Sequence, residues 1–328
     1  MPANLPPQYF EAEKIFREAK DPAEKIVALE DMLAIMPKHK GTDHLKGDLR
    51  KRIAKLTQTV DRKSGAQRAS MVPPKEGAAQ VVIVGLPNAG KSQLVASITK
   101  ATPTVADYPF TTQNAVPGMI EFENIKIQLV DMPPMVSGSI PFWIPPTLRR
   151  ADVLLIMVDL SGAPLDQLVD ISMQLEEMRI GIGEEKPEEE PGWTWKKAII
   201  VGNKLDIAEE NGTAGADLQA LRDEYKGLVS VLGISAKNGT GLEDLRLKVF
   251  EVLDIIRVYT KTPGQKPDLN DPIILKRGST LADAAEDVHK DFLAKLKFAR
   301  LWGSGKHDGV MVKRDHVLED GDIIELHM

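Results

Sequence analysis

Residues 81–100 read VVIVGLPNAGKSQLVASITK. An unbroken apolar run ends at Gly85, a short loop carries Pro87, Asn88, Ala89 and Gly90, and Lys91-Ser92 opens a stretch with apolar residues at helical spacing, Leu94, Val95 and Ile98. The phosphate-loop pattern G-x-x-x-x-G-K-S thus sits between a strand and a helix, the context that gives it meaning. The chemistry follows from the residue types. Glycines let successive backbone N–H groups curl around phosphate oxygens, and the helix N-terminus adds partial positive charge. Lys91 is expected to reach the terminal phosphates and Ser92 to ligate Mg²⁺, with Gly85, Pro87, Asn88, Ala89, Gly90 and Gln93 completing the nucleotide-binding loop.

Downstream, apolar runs ending in IKIQLVD, DVLLIMVDL, KAIIVGN and LVSVLGIS alternate with helical stretches, which predicts an α/β fold with a mostly parallel sheet covered by helices. Two loops after these runs bear on the base. Asn203-Lys204-Leu205-Asp206 places a carboxylate where it can accept both the N1–H and the exocyclic amine of guanine, a donor pair that adenine lacks. Ser235-Ala236-Lys237 follows the last run, where a loop can close over the same base. As a lone tetrapeptide NKLD is an ordinary strand-to-helix loop as often as a site, and its position downstream of a phosphate loop is what makes it informative. Between these segments lie Asp107-Tyr108-Pro109-Phe110-Thr111-Thr112 and Asp131. Thr112 is a candidate Mg²⁺ ligand through its hydroxyl, with its N–H toward a γ-phosphate, and Asp131 a candidate for holding the ion through a water.

The bulk numbers bound the rest. The 328 residues exceed one typical domain. The absence of cysteine excludes disulfides, thiolate metal sites and a cysteine nucleophile, and suits a reducing, cytoplasmic compartment. The opening MPANLPPQYFEAEKIF has neither a basic n-region nor an apolar h-region, and no apolar run reaches membrane-spanning length, so neither a signal peptide nor membrane insertion is expected. Helical spacing over 8–37 and 43–60 followed by a polar linker predicts a helical leader over residues 1–77, a nucleotide-binding domain over 78–256, and a small α+β module over 257–328 with a helix across ADAAEDVHKDFLAKLKFA. The net charge of −6 hides an asymmetry: from Lys38 to Arg68 there are ten Lys/Arg against three Asp. That excess is either a footprint for RNA phosphates or a solvated helix face and linker. Lys290, Lys295, Lys297, Arg300 and Lys306 gather near Phe292, Phe298 and Trp302 in the C-terminal module, a second candidate surface for RNA or protein. The acidic stretch GEEKPEEEPG reads as a solvated loop.

Taken together, GLPNAGKS, DYPFTT, DMPP, NKLD and ISAK resemble the Obg/DRG family of translation-associated GTPases. The C-terminal RVYTKTPGQKPDLNDPIIL and FARLWGSGKHDGVMVKRDHVLEDGDIIELHM resemble the ubiquitin-like TGS domain of the DRG proteins, and KHKGTDHLKGDLRKRIAKL their helical leader. The resemblance implies a P-loop, Ras-like GTPase domain followed by a TGS domain, acting at ribosomes or on RNA in the cytoplasm. It leaves no room for the larger domain that DRG members insert in the GTPase block. Residue by residue, it assigns Lys91 and Ser92 to phosphate and Mg²⁺, Thr112 to the first switch, Asp131 to the Mg²⁺-bound water, and Asn203, Lys204, Asp206, Ser235 and Ala236 to the base. Lys91, Thr112 and Asn88 are the residues it implies for catalysis, Asn88 through a potassium ion that replaces an arginine finger. The third motif departs from the family's Asp-x-Pro-Gly: here Asp131-Met132-Pro133-Pro134 puts a residue without an N–H where glycine would meet the γ-phosphate. Met135 stands where Ras-like enzymes place a water-orienting glutamine, and a thioether cannot position water. Two readings therefore compete, a slow Mg²⁺-dependent GTPase and a hydrolysis-impaired guanine-nucleotide-binding module for ribosome or RNA. A related ATPase is disfavoured by Asp206.

Overall fold

The computed structural model describes residues 5–19, 22–37, 42–63, 73–99, 116–135, 140–141, 143–183, 192–288, 296–305 and 307–327. Thr112 with the rest of Asp107–Thr112, Lys38, Lys40 and Arg68 of the basic leader, and Lys290, Phe292, Lys295 and Lys306 lie outside them. The chain forms two compact units, Met1–Ile120 with Gln128–Leu245, and Glu121–Ile127 with Arg246–Met328.

The first unit opens with three helices, α1 (Pro7–Glu18), α2 (Pro22–Ile35) and α3 (Asp43–Lys63). Proline at the first position of α1 costs nothing, because that N–H has no intrahelical acceptor. The helices close on Tyr9, Ala12, Leu29, Met32, Met36 and Leu49. This leader is anchored to the nucleotide-binding domain: it packs through α2 on α5 (Ile144–Arg150). Arg149 donates to the Asp31 carboxylate and, at 2.9 Å, to the Met178 carbonyl, and Arg150 donates to Glu30 at 3.0 Å. Burial pushes the Asp31 and Glu30 carboxyls above the usual range, against the opposing pull of Arg149 and Arg150.

The sheet of this unit contains β1 (Ala79–Gly85), β2 (Val116–Phe122), β3 (Ile125–Asp131), β4 (Val153–Asp159), β5 (Ile180–Ile182), β6 (Thr194–Asn203) and β7 (Ser230–Gly233). Their order is β2-β3-β1-β4-β6, with β5 and β7 both paired to β6. The pairs β1–β4, β4–β6, β5–β6 and β6–β7 are parallel. Parallel strands carry helices on both faces, so β1 is apolar from Val81 on and β4 up to Val158, and both are buried along nearly their whole length. The covering helices are α4 (Lys91–Ile98), α6 (Pro164–Glu177), α7 (Leu205–Glu210), α8 (Ala214–Glu224) and the start of α9 (Leu242–Leu253), with α5. Val84, Val130, Leu154, Ile156, Leu168, Ile171 and Ile200 are among the core residues, each fully or almost fully buried. At about 1.5 to 3 kcal/mol per buried aliphatic side chain, this core holds the strand ends in fixed register.

The second unit is a mixed sheet of β8 (Ile255–Thr260), β9 (Ile273–Lys276), β10 (Phe298–Trp302), β11 (Val310–Val312) and β12 (Ile323–His327), in the order β11-β10-β12-β8-β9. β8 and β12 run parallel and the other pairs antiparallel. Helix α10 (Leu281–Val288) covers one face, its Leu281, Ala284 and Ala285 sharing a core with Ile256, Val258, Leu301 and Ile324. The helix read across 282–299 overreached at its C-terminal end. Phe298 and Ala299 lie in β10, where Ala299 and Leu301 point to the core and Arg300 outward. Two backbone ladders, to β11 and to β12, override the local helical pattern there. Phe298 and Trp302 are only half-buried: Phe298 stacks on His327 at 4.5 Å, and the Lys261 ammonium lies 4.2 Å from the Trp302 ring centre.

Candidate nucleotide-binding site

In an open parallel sheet, ligands bind beyond the carboxyl ends of the strands. Gly85, Asp131, Asp159, Asn203 and Gly233 end β1, β3, β4, β6 and β7, so the candidate segments emerge on one rim. Two glycines of the first loop have geometric reasons to be glycine. A Cβ on Gly85 would lie 2.6 Å from the Met157 carbonyl oxygen of the neighbouring strand, and one on Gly90, where φ is +94°, would lie 2.3 Å from the Asn203 amide nitrogen. Asn88 takes a left-handed conformation at φ 63°, which asparagine tolerates better than most residues. Pro87, Asn88, Ser92 and Gln93 are exposed, and Ala89 is buried against Asn203.

Asn203 ties three of the segments together. Its Nδ2 donates to the Ala89 carbonyl at 2.9 Å, and its Oδ1 accepts from the Ala236 N–H at 3.0 Å. The Ala236 carbonyl accepts from the Ser97 hydroxyl of α4 at 2.6 Å, and the Ser235 hydroxyl accepts from the Asn238 N–H at 3.1 Å. One buried carboxamide with both ends satisfied therefore fixes the phosphate loop to the loop that follows β7. Lys204 is held at φ 61°, and Leu205 donates its N–H to the Ile234 carbonyl at 2.9 Å. These two features start α7 so that Asp206 falls in its first turn, half-exposed and without a hydrogen-bond partner among the described residues. Lys237 is exposed at the same rim.

The sequence reading missed Asp159. Its carboxylate accepts from the Lys204 ammonium, and its other oxygen accepts from the Ser161 N–H and hydroxyl at 2.8 and 2.6 Å. Gln167 of α6 braces the same residue through its backbone, accepting from the Asp159 N–H at 2.9 Å and donating to the Asp159 carbonyl at 3.0 Å. Burial opposes the ionised Asp159, but the bonds from Lys204 and Ser161 outweigh it and hold the carboxyl below the usual range. The signal was legible: an acidic residue closes the apolar run VLLIMVD as Asp131 closes IKIQLVD.

On the phosphate side, Lys91 donates to the Gly85 and Leu86 carbonyls, each at 3.0 Å, and Ser92 donates to Asp131 at 2.6 Å. The second Asp131 oxygen is buried with no hydrogen-bond partner among the described residues. Burial pushes the Asp131 carboxyl up, against the Ser92 bond and the Lys91 charge, and pushes the Lys91 ammonium down, against Asp131. Both charges are thus weakly screened, which strengthens what they offer to a phosphate or a cation. A hydroxyl and a carboxylate meeting at a helix N-terminus are hard oxygen donors, the kind Mg²⁺ takes when waters and phosphates complete its shell, so these residues fit that ion. Thr112 lies outside the described residues. Met135 is buried in the core, where its side chain serves packing, and its N–H donates to the Gly85 carbonyl at 3.2 Å. Pro134, just before it, is exposed.

Comparison with known proteins places the chain among GTP-binding proteins. Residues 80–204 match the family model described as 50S ribosome-binding GTPase, and residues 256–328 match the TGS domain. An uncharacterized GTP-binding protein of Methanocaldococcus jannaschii is 30% identical, over 92% of each chain. Developmentally-regulated GTP-binding protein 1 of Xenopus laevis is 28% identical and Ribosome-interacting GTPase 1 of Saccharomyces cerevisiae 26%, each over 92% of this chain and 98% of its own length. The fold is similar to that of the Schizosaccharomyces pombe YchF GTPase, with a TM-score of 0.53 at 14% identity over 78% of this chain and 99% of that one. With its match to the GTPase family model, its TGS domain and relatives that align over 92% of its length, the chain belongs to the family of developmentally regulated GTP-binding (DRG) proteins.

Proposed function

We propose that this protein is a slow, Mg²⁺-dependent GTPase that acts in the cytoplasm on the ribosome or RNA, with a leader over 1–77, a GTPase domain over 78–256 and a TGS domain over 257–328 as its working parts. The observation that carries the nucleotide chemistry is the Asn203 carboxamide, which locks the phosphate loop and the base loop into one rigid frame. Ser92 and Asp131 would hold Mg²⁺, which when bound neutralises charge on the β- and γ-phosphates. Lys91 exchanges its two loop carbonyls for phosphate oxygens, and the loop N–H groups orient the γ-phosphate for attack by water. Slow turnover is supported by Met135, whose buried thioether has no capacity to orient that water.

A second reading, a nucleotide-binding module that hydrolyses little, is favoured by Pro134 together with the engagement of the Met135 N–H by Gly85. A switch needs a contact that differs between the two nucleotide states. Pro134 offers no N–H, so the wild type should separate GTP from GDP poorly, with discrimination resting mostly on Thr112. Replacing Pro134 with glycine should favour a non-hydrolysable GTP analogue over GDP by at most about 1.5 to 3 kcal/mol, the value of one charge-assisted hydrogen bond. Calorimetric titration of both proteins with both ligands checks this. An unchanged ratio would give the γ-phosphate contact to another N–H beyond Pro134. Single-turnover hydrolysis of GTP separates the two readings.

Asn88 supports a role for potassium, since its exposed side chain lies on the phosphate loop where a second cation would bridge phosphate oxygens. Turnover should then rise in K⁺ over Na⁺ at equal ionic strength. Equal rates would leave Asn88 as a turn residue.

Association with the ribosome is supported by the basic residues of α3, where Arg50, Lys51 and Arg52 are exposed, and by Lys297 and Arg300 on the TGS domain. The name of the yeast relative points the same way. Because α2 is anchored on α5, removing the leader would disturb the GTPase domain, and charge reversal of Arg50 and Lys51 is the cleaner test. Cosedimentation with ribosomes should weaken and lose part of its salt dependence, with GTP affinity unchanged. Undiminished cosedimentation would make the basic excess a solvated helix face.

A further inference from the structure

Helix α6 carries an apolar ridge that the GTPase fold does not use. Leu165, Val169 and Met173 are spaced i, i+4, i+8 and are 38, 56 and 58% exposed. Residues four apart on a helix lie one above the other, so the three side chains form one continuous row about 12 Å long. The buried face of the same helix, Leu168, Ile171 and Leu175, already supplies its packing on the sheet. Single exposed apolar residues need no explanation, but an ordered row does.

What covers it can be read from the charges beside it. At about 100° per residue, Asp166, Asp170 and Glu177 fall along one flank of the row, and Glu176 closes its C-terminal end. All four are exposed, none has an ion-pair partner among the described residues, and α6 contains no lysine or arginine. On the other flank, the Ser172 hydroxyl lies 3.4 Å from the Tyr225 hydroxyl, just past α8, which bounds the row on that side. We propose that this ridge is the docking surface for a helix of a partner protein that has its own apolar i, i+4 row flanked by lysines or arginines. The acidic flank disfavours the other occupants. Nucleic acid and an anionic membrane surface would be repelled. A second copy packed face to face would bring like-charged rows together. A basic amphipathic helix satisfies both the apolar row and the unpaired carboxylates.

The surface is distinct from the nucleotide site, so its test does not depend on GTP binding. The probe is a synthetic 21-residue model helix with leucines at i, i+4, i+8 and lysines on one flank, followed by fluorescence anisotropy with the full chain. Saturable binding is expected. Val169→Asp with Met173→Asp should weaken it roughly tenfold or more, and Asp166→Asn with Asp170→Asn and Glu177→Gln should weaken it and reduce its salt dependence. A control helix with glutamates in place of the lysines should not bind. These positions are exposed, so GDP affinity and thermal unfolding of the variants should match the wild type and report that they are folded. No saturable binding, or equal binding by the Val169/Met173 variant, would overturn the proposal. Concentration-dependent dimerisation abolished by the same variant would also overturn it, by giving the ridge to a second copy.

Discussion

Asp206→Asn should lower GTP affinity by roughly two to three orders of magnitude and raise affinity for xanthosine triphosphate. In the proposed site the Asp206 carboxylate would present two acceptors to the N1–H and exocyclic amine of guanine. Asparagine keeps one acceptor and turns a donor toward the amine, so one bond is lost and a donor faces a donor. Xanthine carries a carbonyl in place of that amine, and the same carboxamide then satisfies both groups. The surroundings favour a clean effect. Asp206 is half-exposed in the first turn of α7, with no hydrogen-bond partner among the described residues to lose. Competition binding with GTP, ATP and XTP measures the change, and an unaltered order of affinities would remove Asp206 from the base site.

The second large effect is on stability. Asp31→Ala leaves the Arg149 guanidinium without its carboxylate at a site where the arginine side chain is 7% exposed and the aspartate 15%. Its Nε is already buried without a partner among the described residues, and only the 2.9 Å bond to the Met178 carbonyl would remain for the charge. Breaking one half of a buried pair costs about 3 to 5 kcal/mol, a large share of the stability of an ordinary domain. Replacing both partners, as in Asp31→Leu with Arg149→Met, should recover most of that loss, because it removes the uncompensated charge. Thermal unfolding of the two single variants and the double variant provides the cycle. A loss below about 1 kcal/mol for Asp31→Ala would show that the pair is effectively solvated.

The pH dependence of this contact has an unusual sign. The Asp31 and Glu30 carboxyls are raised on folding, chiefly by burial, so the folded state binds protons more readily than the unfolded chain. Their contribution to stability is then fully present below the unfolded carboxylate pKa and is lost as pH rises through the raised values. A protonated Asp31 still offers its carbonyl oxygen to the Arg149 guanidinium, which Asp31→Ala takes away, so mild acid should spare the α2–α5 contact although the truncation does not.

How much of this was legible in the sequence depended on how local the determinants were. The phosphate loop, NKLD and Ser235-Ala236-Lys237 are short segments whose chemistry is carried by their own residues, and the long apolar runs announced β1, β3, β4, β6 and β7. The remaining strands of the first sheet were harder. β5 has three residues, too few for a pattern, and β2 contains Pro117-Gly118, which reads as a turn. Its place at the end of the sheet order explains how it tolerates them, since an edge strand can spare an N–H. Gly118 also has a packing role, because a Cβ there would lie 2.7 Å from the Thr99 methyl. Asp159 is readable as the acidic end of an apolar run, but its pairing with Lys204, 45 residues away, and that of Ser97 with Ala236, 139 residues away, are encoded by no local pattern. The same holds for the anchoring of the leader on α5, where the basic and acidic members of each pair are separated by more than a hundred residues.

That Asn203, Asp206 and the phosphate loop act as one guanine-nucleotide site is tested most directly by calorimetric titration of the full chain in Mg²⁺ with GDP, a non-hydrolysable GTP analogue and ATP. One guanine nucleotide should bind per chain, ATP should bind at least roughly a hundredfold more weakly, and Asn203→Ala should weaken both guanine ligands together. Equal binding of ATP and the GTP analogue, or an Asn203→Ala variant that binds both guanine nucleotides as the wild type does, would contradict it.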